Sequence, residues 1–230
     1  MWFVATYSPV SLISLKLATA TSTGGKSLLL PTPYAYKMAL LNAIIQDMGI
    51  DTGKATWNAV RDARVAIRGP EWIAVNNTFT KILKPMKGKP ELDPETGLTR
   101  GMIKTIGFRE YVQWQGEVKI AIDVAQESLP WARWMSQINY IGKRGGFVQA
   151  IEAPTKTDTL DDAFTDLSSA SDGFSLYGTM QIMDDCGPAL TFEQIDVYSD
   201  KRVERVFRHI TIPYQAVSSS RGYTLYLRIY

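Results

Sequence analysis

The chain has 230 residues and a net charge of +2, which excludes a globally basic composition and leaves only local patches for contact with nucleic acid. Hydrophobic residues make up 45% of the sequence and charged residues 21%, which is typical of a folded soluble protein. We predict one domain with an elaboration. The single cysteine, Cys186, excludes an internal disulfide framework and a cysteine metal cluster, and it favours a cytoplasmic location. We predict neither a signal peptide nor a membrane-spanning segment.

The N-terminal segment predicts strand structure followed by a glycine-rich loop. Apolar residues alternate in 2–7 and 10–17, which indicates either one strand broken near Pro9 or two short strands. Gly24 and Gly25 permit a sharp turn, and Lys26 places a cation at its tip. Since backbone N–H groups and a lysine together favour phosphate, Gly24–Ser27 is a candidate phosphate-binding loop.

Two helices are predicted next. Thr32 is a suitable N-cap and Pro33 a suitable first residue for a helix that continues through Tyr34–Ile45. This helix N-terminus adds to the attraction of the preceding loop for phosphate. Alanines and valines at helical spacing predict a second helix over Ala55–Ile67.

A strand over Trp72–Leu83, with a polar patch at 76–78, leads into a charged arm. Lys84–Lys104 contains three prolines, three glycines and many charges but few core-forming residues, so we predict a basic hairpin or flexible arm that projects from the body. A solvated surface loop is the alternative. The basic residues in and beside the arm are Lys81, Lys84, Lys87, Lys89, Arg100, Lys104 and Arg109.

The middle of the chain predicts a hairpin and a short helix. Thr105–Trp114 and Glu117–Val124 alternate between apolar and polar residues and are separated by two residues, so they are predicted to pair. The helix is predicted from an N-cap at Ser128 through Ile138. Its Trp131, Trp134 and Met135 share one side and are assigned to the core rather than to base stacking.

The C-terminal half alternates in charge. Tyr140–Ile151 places Lys143 and Arg144 in a glycine-flanked turn, a second candidate for phosphate contact. Acids dominate 152–200, where Lys156 is the only basic residue, so we expect this part, including a polar loop or short helix over 158–172, to face away from nucleic acid. Two basic strands, 205–212 and 223–228, are predicted to be joined around residues 218–220.

Two enzymatic alternatives remain open. Ala20–Ser27 differs by one residue from a P-loop, and Asp123 ends an apolar strand as a Walker B aspartate would, although Pro31 and Pro33 interrupt the helix that a P-loop needs. The only histidine, His209, is the candidate base of a metal-independent ribonuclease. Its partners in that scheme are Tyr34 or Tyr36 and Lys37 or Lys143. The acidic pairs Asp161-Asp162 and Asp184-Asp185 lack ligand spacing, so we predict no metal and no cofactor.

Three stretches together resemble the Cas-five subunits of type I CRISPR Cascade complexes, members of the RAMP superfamily. Leu30–Pro33 is similar to the family's proline-threonine-proline entry to its first helix. Arg109–Val112 resembles its arginine-glutamate-tyrosine strand, and Tyr140–Gly146 resembles its later glycine-lysine turn. The order and spacing of the three motifs carry the resemblance.

The resemblance implies an α+β fold, with a ferredoxin-like palm of antiparallel sheet (residues 1–83 and 105–230) and an inserted basic thumb hairpin (residues 84–104). It implies binding of the five-prime handle of CRISPR RNA, contacts with the Cas-seven backbone and the large subunit, and access to target DNA through the complex. One branch of the family cleaves precursor RNA with an adjacent lysine and histidine. Because Arg208 precedes His209 here, we favour binding without cleavage.

The residues predicted to contact RNA share a basic, polar or aromatic side chain, or a position in the glycine loop. They are Gly25, Lys26, Ser27, Tyr34, Lys37, Asn76, Asn77, Lys81, Lys84, Lys87, Arg100, Lys104, Arg109, Lys143, Arg144 and Arg208.

Overall fold

The computed structural model describes residues 1–17, 25–88, 91–168, 177–196 and 198–230. It is a mixed α/β fold with antiparallel sheets. The strands in chain order are β1 (Trp2–Pro9), β2 (Arg64–Arg68), β3 (Trp72–Pro85), β4 (Glu91–Leu92), β5 (Thr99–Arg100), β6 (Met102–Gln115), β7 (Val118–Asp123), β8 (Val148–Ala150), β9 (Thr155–Thr157), β10 (Thr165–Asp166), β11 (Thr179–Cys186), β12 (Arg205–Ile212), β13 (Tyr214–Ser219) and β14 (Tyr223–Arg228). The helices are α1 (Pro33–Met48), α2 (Ile50–Asp62) and α3 (Trp131–Ser136), with a 3-10 turn at Phe192–Gln194.

The first sheet has the order β10-β2-β7-β1-β8, and β9 also pairs with β1. Helix α3 packs on β1 and β8, while α1 packs against α2, α3 and β11. These layers bury one continuous apolar core that includes Tyr7, Leu40, Ile44, Ile120 and Trp131. None of the helices in the described residues is long and apolar enough to cross a membrane.

The second sheet has the order β13-β14-β3-β6 and extends into a long hairpin. Strands β3 and β6 stay in register from Trp72 opposite Gln115 to Pro85 opposite Met102. Strand β14 covers β3 only as far as Asn76, so the rest of the hairpin is a two-stranded ribbon. At about 3.3 Å per residue, that ribbon is about 30 Å long. The short strands β4 and β5 pair near its tip.

Several predicted elements are confirmed. The hydroxyl oxygen of Thr32 accepts a hydrogen bond from the backbone N–H of Ala35 at 3.1 Å, and α1 begins at Pro33. The predicted strand over Trp72–Leu83 lies within β3. Trp131, Trp134 and Met135 are buried, as assigned, because helical spacing places all three on the side that packs against the sheet. The helix starts two residues later than predicted, with Pro130 rather than Ser128 as its N-cap.

The prediction of a helix over Ala55–Ile67 is wrong at both ends. Helix α2 begins at Ile50 and ends at Asp62, and the next residues form strand β2. Val65, Ala66 and Ile67 are all buried, and β2 pairs with β7 along its whole length. Consecutive burial on both faces favours a strand inside a sheet, and this tertiary context overrides the helical propensity of the alanines.

The predicted pairing of Thr105–Trp114 with Glu117–Val124 is also wrong. Both segments are strands, but β6 pairs with β3 and β7 pairs with β1 and β2 in the other sheet. Gly116, between them, has a φ of 122° and turns the chain from one sheet into the other. The alternation in each segment reports one buried face and does not reveal which strand lies beside it.

The C-terminal strands are three rather than two. Strand β12 pairs with β11, whereas β13 and β14 form the hairpin at the end of the chain. The turn of that hairpin lies at 220–222, so residues 218 and 219 belong to β13. At the N-terminus, one strand ends at Pro9, and the segment after it forms only single bridges at Ile13 and Lys16.

Candidate nucleic-acid interface

Glu110 fastens the glycine loop to strand β6. Its buried carboxylate accepts a hydrogen bond from the backbone N–H of Ser27 at 2.8 Å and pairs with the Lys26 ammonium at 3.3 Å. The backbone N–H of Glu110 donates to the carbonyl of Gly25 at 2.6 Å. Since a buried carboxylate is costly unless it is paired, these contacts favour one position of the loop. Lys26 remains 74% exposed beyond its ion pair and is available to a ligand.

Gly25 is required by close packing against β6. A Cβ at this position would overlap the carbonyl oxygen of Phe108 and the Cα of Arg109, both of them backbone atoms. The absence of a side chain therefore allows the loop to approach the strand that presents Arg109. Gly24, the other glycine of the predicted phosphate loop, lies outside the described residues.

Ser27 does not have the environment of a P-loop serine. Its hydroxyl donates to the carbonyl of Leu28 at 3.1 Å and accepts from the N–H of Leu15 at 2.9 Å. Ser27 is buried and forms a β-bridge with Lys16, and no helix begins until Pro33. The local geometry thus does not support nucleotide binding of the P-loop kind, and Ser27 is not available to RNA.

The predicted turn around Lys143 and Arg144 is present. Gly142 and Gly145 flank it with φ angles of 77° and 116°, a region that favours glycine. The N–H of Gly146 donates to the carbonyl of Lys143 at 3.0 Å and closes the turn. Both basic side chains are exposed.

Lys143 and Arg144 lie in a basic cluster with Arg109 and Lys16. Partial burial lowers the pKa of the Lys143 ammonium, and the positive charges of Arg109 and Lys16 lower it further. Among the described residues, no carboxylate forms an ion pair with any of the four. Arg109 and Lys16 thus repel the Lys143 ammonium, and a phosphate group bound beside it would relieve that repulsion.

Two grooves meet at Lys143. The arginine groove runs beside β6 and is lined by Leu12, Ser14, Arg109, Tyr111, Ile141, Lys143, Arg144, Gly145 and Gly146. The tyrosine groove runs beside the start of α1, has a volume of about 410 Å³ and is lined by Ser14, Leu15, Lys16, Leu28, Thr32, Tyr34, Ala35, Met38, Ala39, Tyr140, Gly142, Lys143, Asp184 and Arg205. Cations and apolar side chains thus line both grooves, and the tyrosine groove has more apolar residues.

A stacked pair forms one wall of the tyrosine groove. The guanidinium carbon of Arg205 lies 3.9 Å from the centroid of the Tyr34 ring, and one of its nitrogens lies 3.0 Å from Oδ2 of Asp184. Burial raises the pKa of the Tyr34 hydroxyl, and the positive charge of Arg205 partly opposes that rise. Ring and carboxylate together hold the guanidinium in one orientation.

The strand register divides the basic residues of the hairpin between its two faces. Residues directly opposite each other share a face, and the faces alternate along each strand. Lys84 lies on the face of Arg109, whereas Lys81 and Lys104 lie on the opposite face. That opposite face also carries Phe79, whose ring centroid is 5.2 Å from that of Phe108. Lys87 is exposed near the tip, and the side chain of Arg100 lies outside the described part of the chain.

The two asparagines of β3 are separated in the same way. Asn76 lies opposite Tyr111 and shares its face with Arg109, which places it beside the arginine groove. Asn77 lies on the other face, and its side-chain amide donates to the carbonyl of Arg221 at 3.0 Å. This hydrogen bond links the Asn77 side chain to the β13–β14 turn.

Lys37 and Arg208, both predicted to contact RNA, meet at one buried carboxylate. The Lys37 ammonium is 2% exposed and lies 2.6 Å from Oδ1 of Asp185 and 2.7 Å from the carbonyl of Arg61. Arg208 lies 3.2 Å from Oδ2 of the same aspartate. An RNA phosphate does not reach a side chain as buried as Lys37, so we leave it out of the interface.

Of the residues of the ribonuclease alternative, Tyr34 and Lys143 share the tyrosine groove, and the others lie elsewhere. Tyr36 is buried with its hydroxyl 2.9 Å from that of Tyr7, and Lys37 is buried beside Asp185. His209 is exposed on β12 and lines neither groove. Three of the four aspartates considered for cations form ion pairs: Asp161 with Arg68, Asp184 with Arg205, and Asp185 with Lys37. No group of metal ligands occurs among the described residues.

Sequence reasoning missed Lys16, Glu110, Tyr140 and Arg205 as members of this region. Lys16 lies near the end of a segment that was predicted as strand, and Arg205 lies among several similar basic residues, so composition does not single out either of them. Glu110 could have been predicted, because a carboxylate inside a strand that becomes buried needs a positively charged or hydrogen-bonding partner.

Comparison with known proteins points to one group. No family model matches the chain. A curated "CRISPR-associated protein Cas5" from Archaeoglobus fulgidus is 28% identical over 214 residues, which cover 90% of this chain and 89% of that protein. Two similar solved structures are "a CRISPR protein from Archaeoglobus fulgidus" (16% identity, TM-score 0.49, 99% of this chain and 91% of the other) and a chain of a "CRISPR RNA-guided surveillance complex" (12% identity, TM-score 0.49, 92% and 91%). The similarity to the Cas5 protein extends along nearly the whole chain, and the family resemblance expected from the sequence is confirmed.

Proposed function

We propose that this chain is a subunit of a CRISPR RNA-guided surveillance complex and binds the five-prime handle of the CRISPR RNA without cleaving it. The observation that carries the proposal is the basic cluster, in which Lys16, Arg109, Lys143 and Arg144 face two open grooves without a described acidic partner. Exposed cations of this kind bind phosphates of single-stranded RNA. The likeness to a Cas5 protein supports the choice of CRISPR RNA as the ligand.

In this proposal the first sheet is a ferredoxin-like palm. The elements of this layer follow one another as strand β1, helices α1 and α2, strands β2 and β7, helix α3 and strand β8. This is the strand-helix-strand-strand-helix-strand order of a ferredoxin-like unit. The β3–β6 ribbon is the thumb, and it begins beside Arg109 in the arginine groove. RNA that passes along the arginine groove would then continue along the face of the ribbon that carries Lys84.

The rest of the assembly follows from the same proposal. The Cas-seven backbone and the large subunit are the protein partners, and target DNA is reached only through the complex. The acidic segment that contains Asp158 and Asp161 faces solvent or protein rather than RNA. We propose that the complex acts in the cytoplasm in defence against foreign DNA.

The absence of cleavage is proposed because the candidate base, His209, does not line the groove that Tyr34 and Lys143 share. Tyr36 and Lys37 are buried in contacts with other protein groups. General acid and base groups must reach the reacting atoms within hydrogen-bond distance, directly or through one water.

RNA binding is tested with charge reversal at the glycine-flanked turn. The double variant Lys143→Glu, Arg144→Glu is compared with Lys54→Glu, which changes an exposed lysine on α2 outside both grooves. We expect the double variant to bind handle RNA at least about tenfold more weakly and to lose about 1.4 from the slope of log affinity against log salt. Unchanged affinity and slope would exclude the turn from the interface.

The catalytic alternative is tested by incubating the protein with precursor CRISPR RNA in the presence of a chelator. We expect intact RNA. Cleavage that disappears in the variant His209→Ala would overturn the proposal of binding without catalysis.

A further inference from the structure

We propose that the tyrosine groove holds one unpaired nucleotide, with its base against the Tyr34–Arg205 pair and its phosphate toward Lys16 and Lys143. The inference rests on the proposed RNA binding and deepens it, because it assigns a base-binding pocket to a chain whose other basic residues suit only the RNA backbone.

The lining of the groove divides into an apolar part and a charged part. Leu15, Leu28, Met38 and Ala39 contribute apolar side chains to the groove that Tyr34 also lines. Lys16 and Lys143 stand at the same groove, and both are exposed. A nucleotide has the same division, with a flat aromatic base and an anionic phosphate, whereas an apolar side chain of a protein partner would leave the lysines without a counter-charge.

The size of the groove fits a single nucleotide rather than a helix. Its volume of about 410 Å³ falls in the usual range of small-molecule sites, about 300–1,000 Å³. Sequence-specific proteins commonly splay out single bases of unpaired RNA and stack them on aromatic rings or guanidinium planes. Here a ring and a guanidinium are already stacked, with 3.9 Å between the guanidinium carbon and the ring centroid.

The stacked pair is held in place before any ligand arrives. Asp184 binds a guanidinium nitrogen at 3.0 Å, and its own side chain is only 13% exposed. Tyr34 belongs to the first turn of α1, whose start is fixed by the Thr32 cap. Less entropy is lost on binding when the contacting groups are already ordered, so this wall is suited to recognising a base.

The neighbouring arginine groove marks the route of the adjoining backbone. It shares Lys143 with the tyrosine groove and continues to Arg109 and Arg144. A strand of RNA that passes along these cations has a phosphate at Lys143, and the adjoining base can turn into the tyrosine groove. Only one base is expected to be read, because the arginine groove contains no stacked pair of this kind among its lining residues.

The pocket is tested with abasic scanning of an unpaired RNA about eight nucleotides long, a length within the usual site size. Each nucleotide is replaced in turn by an abasic one, and affinity is measured by fluorescence anisotropy. We expect one position at which loss of the base weakens binding about tenfold in the unmodified protein. The same loss should have no effect in Tyr34→Leu, which keeps an apolar side chain on the core side.

The matched control is Phe79→Leu, the same kind of change on the far face of the hairpin, where the ring is 61% exposed. This variant should keep the abasic sensitivity. Should Tyr34→Leu unfold, crosslinking of 4-thiouridine at the sensitive position of the RNA gives an independent readout, with attachment expected at Tyr34 or Tyr140.

The outcomes separate the pocket from the function on which it rests. Tight RNA binding that tolerates every abasic position, or a crosslink at Phe79 or Phe108 instead, would overturn the pocket and leave RNA binding standing. A protein that binds none of these RNAs, nor handle RNA, would overturn both.

Discussion

The two grooves that meet at Lys143, together called the groove region, and the projecting β3–β6 hairpin have similar numbers of cations but differ in how the backbone positions them. In the groove region, Lys143 stands on a turn closed by two glycines with positive φ, and Arg109 stands where β6 is fastened by Glu110. On the hairpin, Lys81 and Lys84 stand on a two-stranded ribbon and point to opposite faces. Basic composition alone therefore does not define a binding surface, because the register decides which cations act together.

Shortening the hairpin is expected to have the largest effect on assembly with guide RNA. Residues 86–101 are replaced by Asn-Gly, a two-residue turn suited to the antiparallel pair Pro85 and Met102. We expect the body to stay folded, with little change in melting temperature, because the described residues of the deleted segment contribute nothing to the core. We also expect that a complete complex with guide RNA is no longer recovered.

Copurification of the tagged protein with its partners and RNA measures this loss. A complete complex recovered with the shortened hairpin would show that the groove region suffices and would remove the thumb from the proposal.

The next largest effect, on stability and RNA affinity, is expected from a change at Gly25, whose close contact with β6 positions Arg109. Gly25→Ala places a methyl group where backbone atoms of Phe108 and Arg109 lie, so either the loop or β6 must shift. We expect a loss of about 1–3 kcal/mol in the free energy of unfolding and a parallel loss of RNA affinity. Denaturant titration measures the first quantity and fluorescence anisotropy the second.

Gly101→Ala is the matched control, because nothing lies within 4 Å of its added methyl group and its backbone has no positive φ. Equal stability of the two variants would contradict the close approach of the loop to β6.

A smaller effect distinguishes the faces of the hairpin. Lys84→Glu changes the face shared with Arg109, and Lys81→Glu makes the same change on the other face. If RNA leaves the arginine groove along the first face, only Lys84→Glu should reduce the salt slope, by about 0.7. The slope is obtained from affinities at several salt concentrations. A reduction with Lys81→Glu alone would place RNA on the face of Phe79 instead.

The smallest effect is a pH dependence at Lys143. Burial, together with the charges of Arg109 and Lys16, lowers the pKa of this ammonium in the free protein, and a bound phosphate would raise it again. The free protein therefore loses this proton at lower pH than the complex, and affinity should fall as the pH rises through the lowered pKa. Affinity for handle RNA is measured as the pH is raised toward the ordinary lysine value of about 10.4.

Lys143→Arg supplies the comparison, since a guanidinium does not titrate in that range. An identical pH profile for the two proteins would show that Lys143 does not contact a phosphate.

Features that depend on neighbouring residues could be predicted from the local sequence. Thr32 and Pro33 predict the start of α1 through local capping, and the Ile, Val, Thr and Phe content of Trp72–Leu83 predicts a strand. The glycines around Lys143 and Arg144 predict a turn, because glycine adopts the positive φ that such a turn needs without a steric cost. The prolines that follow Ser27 likewise already argued against a P-loop.

Which distant residues come into contact depends on the folded structure. In the fold, β7 pairs with β1 in the first sheet and not with β6. Lys37 is buried against Asp185, and Lys16 and Arg205 line a groove together with Lys143. Alternation specifies that a strand has a buried face but not its partner, and a lysine has the same local signature whether it faces water or a carboxylate. Sheet pairing and burial are set by long-range packing, which the local pattern does not encode.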